Sequence, residues 1–191
     1  MDALILQKIQ DSIANNANIG IVVGKNPSID QMGAALAFYL LLKQAKKEVS
    51  IATPEPPLVG VSSLVGINKV QTNLGGGSAG DLVVSFPYAE GEIEKVSYTL
   101  ENNFLNIIVK AGEQGLSFDE QDVRYTRGTG KVDLLIVVGT PRLSDLGELM
   151  SGDKIHDAKI FNIDNHADNQ KFGDITLVQP QATSVSEIMA E

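Results

Sequence analysis

Three largely apolar runs of strand length, Asn18–Val23, Val132–Val138 and Ala158–Ile163, constrain the fold of this chain more than any other feature. Runs rich in branched aliphatics and bounded by turn residues are typical of strands buried on both faces, as in a parallel sheet. Helical periodicity lies around them. Residues 2–16 set Ile5, Ile9 and Ile13 on one face, and a second helix is expected from Asp30 to about Lys46. Val49–Thr53 reads as the next strand, ended by prolines at 54, 56 and 57, which have no amide to offer a ladder. A short helix near Ser144–Met150, a strand at Ile175–Val178 and a helix from Thr183 complete the pattern. Helices and strands in this order predict an α/β fold, a three-layer sandwich with a mostly parallel central sheet.

The middle of the chain breaks the alternation. Residues 75–80 read Gly-Gly-Gly-Ser-Ala-Gly, a loop without the Lys-Ser or Lys-Thr that opens the helix of a phosphate-cradling motif. Leu82–Pro87, Lys95–Leu100 and Phe104–Lys110 read as strands, and the Glu101-Asn102-Asn103 turn joins the last two into a hairpin. The expectation is one domain over residues 1–191 with a β-rich insertion at about 83–130.

The 191 residues include no cysteine, which excludes disulfides and thiolate metal sites and points to a cytoplasmic protein. The longest apolar stretches, such as Leu134–Val138, fall far short of a membrane span, and no membrane association is expected. A net charge of −9 argues against general nucleic-acid binding, which relies on clustered Lys and Arg. Lys25, Arg124, Arg127, Lys131 and Arg142 would make a local basic pocket if they converged; scattered surface charge is the simpler reading.

In an open parallel sheet, ligands bind beyond the carboxyl ends of the strands. Three polar loops fall there: Gly24-Lys25-Asn26-Pro27-Ser28-Ile29-Asp30, Gly139-Thr140-Pro141-Arg142 and Asp164-Asn165-His166. Carboxylate and imidazole donors at such positions, Asp30, Asp164 and His166, suit a divalent cation. Each also has a plainer role. Asp30 is placed to cap its own helix, and Asp164 and His166 to satisfy loop amides. Gly33 is expected to let helix pack closely on strand, His156 to lie on the surface, and Asp168 and Asp174 to be solvated loop residues.

The loop sequences resemble those of the DHH phosphoesterase superfamily, N-terminal domain. Asn162-Ile163-Asp164-Asn165-His166-Ala167-Asp168-Asn169, then Phe172-Gly173-Asp174, then Pro180 through Glu187, is similar to that family's Asn-Ile-Asp-His-His-x-x-Asn, Phe-Gly and Pro-containing helix entry. Asn26-Pro27-Ser28-Ile29-Asp30-Gln31-Met32-Gly33-Ala34 resembles its Asn-Pro-Asp-Gly-Asp-Ala-x-Gly-Ser. The likeness covers roughly residues 15–58 and 132–191. It implies a hydrolase of phosphoesters or phosphoanhydrides that uses two Mn²⁺ ions and a smaller C-terminal domain to grip substrate. Substrates in such a family include short oligonucleotides, cyclic dinucleotides and polyphosphates.

Against that pattern, Gly24 stands for a histidine, Ser28 and Gly139 for aspartates, and Asn165 for the first histidine of the motif; Asp30, Asp164 and His166 are kept. Two ions about 3.5–4 Å apart need bridging and terminal carboxylates. The expectation is therefore a domain with a vestigial site (Ser28, Asp30, Gly139, Asp164, Asn165, His166) and no two-metal activity. It would bind a nucleotide, another small phosphate-containing ligand or a protein partner, with Lys25, Asn26, Arg142 and His166 as the ligand-binding residues. No cofactor is expected, or else Mn²⁺ or Mg²⁺ held by Asp30, Asp164 and His166 in a residual phosphoesterase. A structural module forming a homodimer is the further alternative. The resemblance further leads to the expectation that the family's C-terminal substrate domain is absent from this sequence, and a last helix that stops without a capping glycine is what a truncated chain would show.

Overall fold

The structure is a computed structural model that describes residues 3–74, 82–127, 131–150, 155 and 157–190. The Gly-rich 75–80 segment and His156 lie outside the described residues. The chain divides into two compact units, one formed by residues 1–81 with 128–191 and the other by residues 82–127.

The first unit carries the α/β pattern. Helix α1 (Ala3–Asn15) precedes β1 (Asn18–Val23), α2 (Ile29–Gln44), β2 (Glu48–Ala52) and a two-residue β3 (Val70–Gln71). After the second unit come β8 (Leu134–Val138), β9 (Lys159–Asp164), β10 (Ile175–Val178) and α3 (Val185–Ala190). The six strands form one sheet in the order β10-β9-β8-β1-β2-β3, and every neighbouring pair is parallel.

Two apolar layers explain why β1 beyond Asn18, and β8 throughout, are apolar. Ile19, Ile21 and Val23 of β1 and Leu134, Ile136 and Val138 of β8 face a core shared with Ile9 of α1, Met32 and Leu36 of α2, and Val185 and Ile188 of α3. The alternate residues Val22, Leu135 and Val137 join Leu74, Leu146 and Leu149 on the opposite face. Alternation in direction along a strand, with burial on both sides, leaves no position for a polar residue. Gly20 marks a close approach of core side chains to β1. A Cβ there would lie 3.1 Å from Leu74, 3.2 Å from Leu135 and 3.2 Å from Val132.

Several expected elements are adjusted. The Ser144–Met150 helix is a 3₁₀ segment over Leu143–Met150, broken at Gly147 (φ +51°). Gly33 does not serve close packing, since a Cβ on it would meet nothing within 4 Å. Helix α2 is capped by Ser28, whose hydroxyl accepts from the Gln31 amide at 3.2 Å while Gln31 Oε1 accepts from the Ser28 amide at 2.8 Å. This reciprocal capping box displaces Asp30 from the capping role that its position suggests.

The second unit holds two antiparallel pairs. β4 (Leu82–Ser85) pairs with β7 (Arg124–Arg127), and β5 (Ile93–Glu101) pairs with β6 (Phe104–Ala111) in the expected hairpin. Asn102 and Asn103 supply its turn at φ +51° and +64°, the left-handed region where asparagine is the favoured side-chain-bearing residue. β7 was not expected, since its four residues Arg-Tyr-Thr-Arg carry no apolar alternation.

Candidate functional site

Strand order reverses between β1 and β8: from β1 the sheet continues through β2 to β3, and from β8 through β9 to β10. The loops leaving the carboxyl ends of these two strands diverge and leave a crevice, the usual ligand position in such sheets. A cleft of about 520 Å³ opens there, lined by Gly24, Lys25, Asn26, Gln31, Gly139, Thr140, Pro141, Ser144, Asp145 and His166.

The floor of the cleft is held by short polar contacts between the two loops. The Gly24 amide donates to Thr140 Oγ1 at 2.9 Å, and that hydroxyl donates to the Val138 carbonyl at 3.2 Å. A Cβ at position 24 would lie 3.2 Å from Thr140 Oγ1, so the threonine occupies the ground a larger residue would need. Gln31 Nε2 donates to the Gly139 carbonyl at 2.7 Å.

At the end of β9, Asp164 is fully buried. Its Oδ1 accepts from the amides of Asn165 (2.8 Å) and His166 (3.3 Å) and contacts His166 Nδ1 at 2.6 Å. Its Oδ2 accepts from Asn169 Nδ2 at 2.6 Å. Asn169 is in turn fixed by Asn162 Nδ2 (3.1 Å) and the Lys171 amide (2.6 Å), both donating to its Oδ1. A buried carboxylate needs this degree of satisfaction, because an unpaired one would shed its charge instead. A proton on Nδ1 directed at Asp164 leaves Nε2 as the ring's acceptor. Nε2 has no hydrogen-bond partner among the described residues, and His166 is 40% exposed along the cleft.

Asp30 is used differently. Its carboxylate accepts from the amides of Val185 (2.8 Å) and Ser186 (3.1 Å), at the start of α3. Burial raises its pKa, but hydrogen bonds from the Ser186 side chain and from the Val185 and Ser186 amides outweigh it and hold the carboxyl below its ordinary value. It thus caps α3, an element 155 residues away, and not its own helix.

Of the residues singled out in the sequence, Lys25, Asn26, Gly24, Gly139 and His166 line the cleft. Lys25 pairs with Glu55 at 3.1 Å. Arg142 is not among the lining residues and pairs with Asp168 at 2.5 Å, and Asp168 is 60% exposed, as expected of a loop residue. Lys131 pairs with Asp157 at 2.7 Å. Asn165 Nδ2 donates to the Ala182 carbonyl at 3.3 Å, tying the loop to the segment that leads into α3. Asp174 Oδ2 accepts from the Ile160 amide at 2.8 Å, so it anchors β9 and is more than a solvated loop residue. Among the described residues, no three His, Asp or Glu side chains converge closely enough to hold a metal ion. Gln31, Thr140 and Asn169 were missed as site residues. Only Gln31 carried a local signal, the three-residue spacing from Ser28 that marks a capping box.

No helix among the described residues is long and apolar enough to cross a membrane. No curated protein matches the chain. The crystal structure of an exopolyphosphatase-related protein from Bacteroides fragilis superposes with a TM-score of 0.62 at 15% identity, covering 98% of this chain and 42% of that one. At that identity the likeness establishes the fold, and this chain spans less than half of that protein's length. The DHH family, N-terminal domain, matches residues 18–191, from β1 through the last helix. With that match across both the sheet and the cleft loops, the chain belongs to the DHH family and carries its N-terminal domain.

Proposed function

We propose that this domain binds a small phosphate-containing ligand, such as a nucleotide, in the β1–β8 cleft and does not hydrolyse it by a paired-metal mechanism. One observation carries the reading: the cleft persists while both carboxylates that match the family motif are occupied elsewhere. Asp164 has both oxygens engaged by Asn165, His166 and Asn169, and Asp30 is engaged by the amides of α3. Gly24, Ser28, Gly139 and Asn165 add no carboxylate or imidazole where the family has them. Two closely spaced cations need several anionic oxygens to offset their repulsion, and this donor set does not fit them. A ligand phosphate would instead meet Lys25 and the Asn26 amide side chain, while His166 Nε2 accepts from a hydroxyl or amino group of the ligand.

The test is a titration of the ¹⁵N-labelled chain with adenosine monophosphate and with inorganic phosphate in the presence of a chelator. Shifts are expected at the amides of Gly24, Lys25, Asn26 and His166, and weaker binding after Lys25→Ala or His166→Ala. Mn²⁺-dependent turnover of bis-p-nitrophenyl phosphate that disappears on Asp164→Ala would overturn the proposal.

A second reading rests on the 2.6 Å contact between His166 and Asp164 at one strand end. In it, one Mn²⁺ or Mg²⁺ ion at these two residues supports residual phosphoester hydrolysis. Calorimetry without heat for either ion at millimolar concentration removes this alternative and leaves the first reading standing.

A further inference from the structure

The side chains of the β1–β8 cleft divide into those committed within the fold and those left for a ligand. Gln31 gives its Nε2 to the Gly139 carbonyl, and its Oε1 accepts from the Ser28 amide. The Thr140 hydroxyl is held between the Gly24 amide and the Val138 carbonyl. Lys25 shares its charge with Glu55 at 3.1 Å. Asp145 is not committed. It is half-buried in the first turn of the 3₁₀ segment Leu143–Met150, where a carboxylate ordinarily serves the open amides of the turn. Its own amide donates to the Arg142 carbonyl, but its carboxylate has no hydrogen-bond or ion-pair partner among the described residues.

The cleft therefore presents two acceptors, the Asp145 carboxylate and His166 Nε2, beside one shared cation. An ionised carboxylate only accepts hydrogen bonds, and so does the bare nitrogen of a neutral imidazole. Phosphate oxygens are acceptors as well, so neither group serves a phosphate; both serve hydroxyl or amino donors. Charge points the same way. Lys25 and Glu55 together carry no net charge, and Asp145 makes the lining negative. Each further phosphate on a ligand then meets added repulsion. Among the described lining residues no Phe, Tyr or Trp offers a face on which a nucleobase could stack.

We propose that Asp145 is the specificity-determining residue of the cleft: it accepts from the hydroxyls of a sugar phosphate and turns polyphosphate chains away. The inference rests on the reading of the cleft as a phosphate-ligand site, with Lys25 and Asn26 at the phosphate and Asp145 and His166 Nε2 at the hydroxyls. The two carboxylate oxygens suit a vicinal diol, each taking one O–H. Hydrogen bonds to a charged acceptor are stronger than neutral ones, so such a pair selects for the diol. A polyphosphate chain brings more charge and almost no donors.

The test titrates the ¹⁵N-labelled chain, in chelator, with ribose 5-phosphate, propyl phosphate and tripolyphosphate, and takes dissociation constants from the Lys25, Asn26 and Asp145 amides. Ribose 5-phosphate is expected to bind at least about tenfold more tightly than propyl phosphate, which has the same phosphate group and no hydroxyl. Tripolyphosphate should bind no more tightly than propyl phosphate despite its larger charge. The nearly isosteric Asp145→Asn should bring ribose 5-phosphate towards propyl phosphate and strengthen tripolyphosphate binding. These opposite shifts separate a change in selectivity from damage to the fold, which would weaken all three, and the ligand order in the unsubstituted chain is a test by itself. Equal affinity for ribose 5-phosphate and propyl phosphate, tripolyphosphate binding tightest, or a selectivity indifferent to Asp145→Asn would overturn the proposal and leave the cleft a phosphate site. No shift at Lys25 or Asn26 with any of the three would remove the phosphate reading itself, and this inference with it.

Discussion

Gln31 and Gly139 fit each other as a pair. The Gln31 side chain donates to the Gly139 carbonyl at 2.7 Å, and its Cγ lies 2.5 Å from where a Cβ on residue 139 would sit. Position 139 also has φ +59°, where an L-residue pays a steric penalty of about 1–2 kcal/mol. A carboxylate at 139 and a glutamine at 31 thus exclude one another, and the cleft is built around the glutamine.

Gly139→Asp alone is accordingly expected to lower stability by about 2 kcal/mol and to leave Mn²⁺ affinity unimproved. Combining it with Gln31→Ala, the residue type in the family motif, relieves the clash. Denaturant unfolding of the two single variants and the double variant gives the coupling. Additive losses, with no recovery in the double variant, would show that the two positions are independent.

The buried Asp164–Asn169 contact makes a second prediction. Asn169→Ala leaves Asp164 Oδ2 without its 2.6 Å donor in a fully buried place, which should destabilise the domain by about 1–3 kcal/mol. Asn169→Asp is expected to be worse at neutral pH, because it sets two carboxylates side by side. Its deficit relative to Asn169→Ala should shrink as pH falls and one carboxyl takes a proton. A thermal unfolding series across acidic pH decides this; a deficit independent of pH would mean that the two groups do not interact.

Asp30 couples α2 to the start of α3, and its carboxyl is held below its ordinary value, 3.8. A depressed folded pKa adds stability that is present above the unfolded value and lost as pH falls through the folded one. The Asp30 contribution should therefore persist at neutral pH and fade only below about pH 4. Asp30→Ala removes the cap, at an expected loss of about 1 kcal/mol, and should flatten that part of the acid limb. Hydrogen exchange at Val185 and Ser186 should accelerate in the variant. Unchanged protection there would place the capping elsewhere.

How much of this was legible in the sequence follows from the range over which each feature is decided. β1, β8 and β9 were legible because burial on both faces writes itself into consecutive residues. The α2 start was read at Asp30 and not at its true cap Ser28, although the Ser28–Gln31 capping box is closed within three residues and lay within reach of the sequence. β3 was not legible, since two residues carry no periodicity. β7 was not, because its pairing with β4 is decided by a partner about forty residues away in the chain and its residues show no alternation. In the site, topology placed the three loops correctly, but side-chain commitments escaped. Asp30 finds its partners 155 residues away, and Gln31 its second partner 108 away. Neither spacing leaves a mark on the local sequence.

Two glycines with opposite surroundings supply a last contrast. At Gly20 the neighbours Leu74, Leu135 and Val132 stand within 3.2 Å of an added Cβ, all of them core side chains packed on one another. Gly20→Ala is expected to destabilise by about 1–3 kcal/mol, as overpacking does when surrounding side chains have no room to yield. At Gly33, inside α2, the added methyl meets nothing within 4 Å. There alanine removes backbone freedom from the unfolded chain and should stabilise by about 0.5–1 kcal/mol. The pair is measured in one set of urea titrations, and the opposite signs are the test. A loss at Gly33 would mean that this face of α2, which borders Ser186 and Met189 of α3, is more closely packed than its open surroundings indicate.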